Sequence, residues 1–254
     1  MIKNNLVVVH SFPTNSILLS GLIEYLNDYF KVYFIDLPGF MKEVPPLSEI
    51  SFNAYSQFVE CKLKDLNLES YLVAGISFGF TVINDIQYDS RCKGIIAIEP
   101  YIGPDSLKMS FFKKLIYKSF VKSIILFNLS QAIWNNNFFR ESLPKLRNYP
   151  KDSIDIILNQ IEAKTFFETA NLIISNKNIC EFQDLPYVLI GNKDDKTVDY
   201  SYILETFKKN VKQLLVIETT IDHYPKEPTK AYFKEKIPEE NVQKLVNFIS
   251  NRET

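Results

Sequence analysis

The run Gly75-Ile76-Ser77-Phe78-Gly79 places a serine between two glycines, each two positions away. A serine on a sharp turn with positive φ projects its hydroxyl, and the flanking positions must then be small. Such a hydroxyl attacks only when a neighbouring base takes its proton. The chain has two histidines, His10 and His223. His223 lies late in the chain, in Ile221-Asp222-His223-Tyr224-Pro225, and is the candidate base. A base of this kind needs a buried carboxylate to fix its tautomer. Gly191-Asn192-Lys193-Asp194-Asp195-Lys196-Thr197-Val198 offers two, and whichever is not used reads as a turn residue. Negative charge developing on a substrate oxygen needs two N–H donors. Phe78 supplies one as the residue after the nucleophile. Phe12, in the loop His10-Ser11-Phe12-Pro13, is the candidate for the other. His10 has two readings, as an orienter of that loop or as a second base.

These residues must be carried to one place by the elements around them. Short apolar runs at Leu6–His10, Val32–Asp36, Tyr71–Ile76 and Gly94–Glu99 read as strands. They alternate with helical patterns over about 16–29, Phe52–Leu66 and Phe78–Tyr88. Phe52, Tyr55, Phe58, Val59, Leu63 and Leu66 fall on one helix face. This rhythm predicts parallel pairing with right-handed crossovers, and the all-apolar strands predict a sheet covered on both faces. The pattern stops at Pro100. Helical segments follow over about 109–127, 130–142, 152–174 and 176–182, with no strand signal between them. The rhythm then resumes with Tyr187–Ile190, Tyr200–Asn210, Leu214–Glu218 and Glu239–Ser250. The serine, the aspartates and His223 all follow predicted strands, in the order Ser, Asp, His, where open α/β sheets place their sites. The domain reading is a core over 1–100 and 183–254, interrupted by a helical insertion over 101–182.

Composition narrows the function classes. A chain of 254 residues with 46% apolar and 23% charged residues supports a full core without staples. Its net charge of −1 is unlike that of a dedicated nucleic-acid binder. Cys61, Cys92 and Cys180 form no disulfide framework and read as reduced thiols in a cytoplasmic protein. Two histidines provide no metal spacing, so neither a metal nor a cofactor is expected. No secretory leader is evident in Met1–Val9, and no apolar run is long enough to cross a bilayer. Only seven glycines occur, and four of them (Gly39, Gly75, Gly79, Gly191) fall in loops at predicted strand ends.

The insertion carries Lys108, Lys113, Lys114, Lys118 and Lys122, with no acidic residue between Asp105 and Glu141. Phe112, Ile116, Phe120 and Ile124 recur every four residues beside the lysines. This predicts an amphipathic helix with a basic face, either simply solvated or in weak peripheral contact with anionic lipid or an acidic partner.

Taken together these motifs resemble the α/β-hydrolase superfamily over nearly the whole chain. His10-Ser11-Phe12 resembles the family's His-Gly-x motif, Asp36-Leu37-Pro38-Gly39-Phe40 its Asp-x-Pro-Gly-x turn, and Gly75–Gly79 its nucleophile elbow. The family's acid loop reads Gly-x-x-Asp-x-x-Val. Here the Gly-to-Asp spacing selects Asp194 and the Asp-to-Val spacing selects Asp195; we take Asp194. Three departures stand out: Ser11 in place of a glycine, Phe80 in place of a small residue, and Asp222 in place of the glycine before the histidine. The resemblance implies a doubly wound, mostly parallel sheet of about six strands, lacking the family's usual first two, with a helical cap over the pocket. It also implies a serine hydrolase in which Ser77 attacks an acyl carbon of a small-molecule ester, His223 shuttles the proton, Asp194 orients His223, and the amides of Phe12 and Phe78 hold the oxyanion. Other activities remain open on the same residues: a carbon–carbon bond hydrolase, an aminopeptidase, or a non-catalytic binding protein or scaffold. In the cap, Phe111, Phe112, Phe138, Phe139, Phe166 and Phe167 suit either an apolar acyl pocket or packing between helices.

Overall fold

The computed structural model describes residues 3–147, 150–176 and 181–250. Six strands form one sheet: β1 (Asn5–Val9), β2 (Lys31–Ile35), β3 (Tyr71–Ile76), β4 (Cys92–Ile98), β5 (Tyr187–Gly191) and β6 (Leu214–Glu218). Their order is β2-β1-β3-β4-β5-β6, and every pair is parallel. Successive side chains alternate between two cores. Val7, Val9, Val73, Ile95, Ala97 and Leu189 face helices α2 (Phe52–Leu66) and α3 (Phe78–Asn84) and the insertion. Leu6, Val8, Leu72, Ala74, Ile96 and Val188 face α1 (Ser20–Leu26) and the C-terminal helices. Burial on both sides explains why the strands read as unbroken apolar runs.

The chain leaves β1 toward one edge and returns to the other side of β1 at β3. That reversal opens a crevice at the strands' C-terminal ends. The register pairs Val9 with Gly75, Ile76 with Ile98, and Ile98 with Ile190. The loops that follow β1, β3, β4 and β5 therefore begin side by side.

Between β4 and β5 the described residues form, besides an isolated antiparallel bridge of Leu107 to Val198, a 3-10 turn at Pro104–Ser106, then α4 (Phe111–Leu126), α5 (Ser130–Trp134), α6 (Asn137–Arg147), α7 (Lys151–Gln160) and α8 (Ala163–Ser175). The helix expected over 152–174 is two helices. Glu162 breaks it, capping α8 through a bond from Thr165 N while its own N–H donates to Gly39 O at 2.9 Å. The segment expected over 130–142 likewise splits after Trp134. Most of the helix suggested over 176–182 lies outside the described residues. Beyond β5 come α9 (Tyr200–Asn210), α10 (Lys230–Lys236) and α11 (Glu239–Ser250). The short α10 has no counterpart in the sequence pattern. It is capped by Thr229, buries Phe233 and packs against α1.

The α4 stripe also departs from expectation. Of Phe112, Ile116, Phe120 and Ile124, only Ile124 is buried. The inward side of α4 is formed instead by Val121 and Ile124, with Tyr117 and Ile125 half-buried beside them. No helix of the described residues is long and apolar enough to cross a membrane.

Candidate active site

Ser77 is the single residue between β3 and α3, with φ 47° and ψ −113°. This is backbone strain of the kind the pentapeptide predicts. Three main-chain bonds hold it there: Ser77 N donates to Ile98 O at 2.9 Å, and Ser77 O accepts from Phe80 N at 3.0 Å and Tyr101 N at 3.2 Å. The glycines are needed for close approach. A Cβ on Gly75 would lie 2.4 Å from Phe80 Cα, and one on Gly79 would lie 2.4 Å from His10 O. Phe80 fits after the elbow because its ring turns into the core against Phe207, with centroids 5.5 Å apart.

His223 meets Ser77 and one aspartate. Its Nε2 is 3.0 Å from Ser77 Oγ, and its Nδ1 is 3.0 Å from Asp195 Oδ2. The second carboxylate oxygen of Asp195 accepts from the N–H groups of Thr197 and Val198. Burial alone would push the Asp195 carboxyl up, but the bonds from His223, Val198 and Thr197 hold it below the usual carboxylate range.

Asp194 is therefore corrected to Asp195 as the partner of His223. Asp194 is exposed, and its N–H donates to Asn192 Oδ1 at 2.9 Å. The two spacings differ in what fixes them. From Gly191 to the aspartates the chain makes a turn, closed by Asp195 N on Asn192 O at 3.1 Å, and a turn accommodates an extra residue. From Asp195 to Val198 the length is set by bonds to the carboxylate itself. The Asp-to-Val spacing is the more binding constraint.

One residue that the sequence reading missed sits beside this pair. Glu99 directly follows β4, has φ 43° and is buried. Its Oε1 has no hydrogen-bond partner, and carboxylate and ring atoms of Glu99, Asp195 and His223 all lie within 4.8 Å of one another. Burial, and after it the charge of Asp195, pushes the Glu99 carboxyl up to about 10. It is thus a neutral acid beside an ionised one. Both nitrogens of His223 are engaged within the protein, Nε2 with Ser77 and Nδ1 with Asp195. The signal available in sequence was a carboxylate, Glu99-Pro100, at the C-terminal end of an apolar strand.

On the opposite side of Ser77 lies the loop after β1. His10 is fully buried and bridges two loops: its Nδ1 is 2.8 Å from Ser11 O, and Leu37 N donates to its Nε2 at 2.9 Å. A nitrogen already accepting from an amide has no lone pair for a nucleophile's proton, so His10 holds the loop. Burial lowers its pKa accordingly. Ser11 is absent from the positive-φ residues, so its position does not require glycine. Its hydroxyl lies 2.9 Å from Thr14 Oγ1. The Phe12 ring packs against Phe166, with centroids 5.1 Å apart. Phe78 is the first residue of α3, where an N–H has no intrahelical acceptor. Asp222 is accommodated by Tyr232, whose hydroxyl accepts from Asp222 N at 2.7 Å.

A narrow cleft beside His223 is lined mainly by apolar groups, among them Leu19, Leu22, Ile76, Ile98, Ile221 and Phe233. Ser11 and Glu99 also border it. Phe111, Phe112, Phe138, Phe139, Phe166 and Phe167 do not. Phe166 and Phe167 are buried around Trp134, and Phe139 packs on the same ring, whereas Phe111, Phe112 and Phe138 face outward.

No family model matches the chain. Over 96 residues it is 30% identical to a pimeloyl-[acyl-carrier protein] methyl ester esterase of Wigglesworthia glossinidia brevipalpis, covering 37% of this chain and 35% of that one. A protein of the same description from Shewanella oneidensis is 27% identical over 157 residues, or 57% of each chain. The matches thus span well under two thirds of these relatives' length. Among solved structures, a thermophilic esterase from Thermogutta terrifontis superposes with a TM-score of 0.66 at 18% identity, covering 100% of this chain and 92% of that one. At that identity the likeness establishes the fold alone.

Proposed function

We propose, from the premise that this chain has the α/β-hydrolase fold, that it is a serine hydrolase acting on carboxylic esters. The observation that carries this reading is the continuous relay Ser77 Oγ–His223 Nε2 and His223 Nδ1–Asp195 Oδ2, each 3.0 Å long. Ser77 attacks the acyl carbon as His223 takes its proton. The charged Asp195 stabilises the imidazolium and keeps the other nitrogen protonated. The amides of Phe78 and Phe12 receive the oxyanion. His223 returns the proton to the leaving alcohol, and water attacking by the same route frees the acid.

The ester class is favoured by two features. The relatives from Wigglesworthia and Shewanella are named for methyl ester hydrolysis. The cleft beside His223 is apolar and offers few polar groups to a charged leaving group. The insertion over 101–182 acts as the cap in this reading. The free thiols of Cys61 and Cys92 suit the cytoplasm.

The test is hydrolysis of p-nitrophenyl esters of increasing acyl length. We expect Ser77-dependent hydrolysis of the short-chain esters, with kcat/KM across the series reporting the acyl length the site prefers. Ser77→Ala should abolish turnover across the series. Turnover that survives Ser77→Ala would exclude this reading.

A further inference from the structure

The outward side of α4 is apolar where a solvated helix would be polar. Phe111, Phe112, Leu115, Ile116, Phe120 and Leu126 are all exposed, Phe111 and Phe112 by 73% and 74%. At about 3.6 residues per turn these positions make one continuous face, opposite the side that packs on α8. Ser119 and Ser123 interrupt that face, and the Ser123 hydroxyl donates to Ser119 O at 2.9 Å. Lys113 is exposed at one margin, the half-buried Lys118 lies at the other, and the exposed Lys122 falls within the face between Phe111 and Leu115. None of these three forms an ion pair among the described residues. From 106 to 140 the sequence has five lysines, one arginine and no acid.

We propose that this face of α4 docks on an anionic lipid bilayer. An apolar face bordered by lysines lets the rings enter the boundary between headgroups and acyl chains while the ammonium groups stay at the phosphates. Charge argues against a self-pair, and the exposed rings favour a bilayer. A second copy seated face to face would oppose lysines with lysines, with no acid in the stretch to pair them. The helix is also tied to the site. Just before it, Lys108 Nζ donates to Asp195 O at 2.6 Å and Lys108 N to Thr197 O at 2.8 Å. Docking therefore brings the loop of Asp195 close to the membrane surface.

The full chain is sedimented with vesicles of phosphatidylcholine alone and of phosphatidylcholine mixed equally with phosphatidylglycerol. Binding should be about tenfold tighter or more on the mixed vesicles, given about 1 kcal/mol per surface lysine. The combined variant Phe112→Ser, Ile116→Ser, Phe120→Ser should lose binding to both. Lys113→Glu with Lys122→Glu should lose the preference for anionic lipid. Both variants should retain wild-type hydrolysis of a short, water-soluble ester, which shows that they fold. Equal affinity for the two vesicle types, or unchanged binding by the serine variant, would overturn the proposal. So would a wild-type dimer that the serine variant converts to monomer, or capture of an acidic protein without vesicle affinity.

Discussion

Asp195 and Glu99 lie within 4.8 Å of each other and of His223, yet they hold opposite protonation states. Bonds from His223 and two amides favour the charged form of Asp195, whereas Glu99 has an unpartnered Oε1 and a charged neighbour. Asp195→Asn should lower kcat by about 10³–10⁴-fold, because the amide cannot stabilise the imidazolium and allows the wrong tautomer. Asp194→Asn should stay within a few-fold of wild type, which ester kinetics on the two variants will check. Glu99 predicts a pH effect with a definite sign. Its carboxyl titrates near 4.5 when unfolded and about 10 when folded. Between those values the unfolded chain has released a proton that the folded chain keeps, so stability falls as pH rises. Glu99→Gln removes that slope. Relative to wild type its Tm should rise from about pH 5 to about pH 9, with the gain shrinking toward pH 4. A gain independent of pH would mean that Glu99 is not held neutral. In sequence, Ser77 and His223 were legible because their roles depend on position relative to strands. The choice between adjacent aspartates was not, because it turns on one extra residue in the turn at Asn192.

The elbow depends on two elements meeting at van der Waals distance. β3 hands the chain to α3 through a strained serine, and α3 comes so close to β1 that Gly79 has no room for a methyl group. Gly79→Ala should therefore destabilise the fold by about 2–4 kcal/mol, read as a lowered Tm and urea midpoint, since the obstacle is the His10 carbonyl rather than a flexible side chain. Elements whose apolar period is long or unbroken, such as α2, β3, α9 and β6, have the bounds their sequence suggests. Those set by a single tertiary bond do not. The break before α8 rests on Glu162 meeting Gly39, and α10 rests on packing against α1. The outward turn of α4 belongs to the same class, because its period marks an apolar face without saying what that face meets.

Across the whole molecule, the parallel sheet brings together residues 146 positions apart in the chain, Ser77 and His223. The strand order β2-β1-β3-β4-β5-β6 does this by placing the loops after β1, β3, β4, β5 and β6, the last of which carries His223, along one edge of the sheet. The helical insertion leaves after β4 and returns at β5, so it interrupts the chain without interrupting the sheet. That separation is why the sheet was readable from alternating runs while the packing of the insertion was not. Every step of the proposed hydrolysis requires Ser77 to be an activated nucleophile. The direct measurement is reaction of the intact protein with a fluorophosphonate, followed by mapping of the adduct by mass spectrometry. We predict a single adduct on Ser77, absent in Ser77→Ala and strongly slowed in His223→Ala. An unlabelled wild type, or labelling that persists at equal rate in Ser77→Ala, would contradict the account.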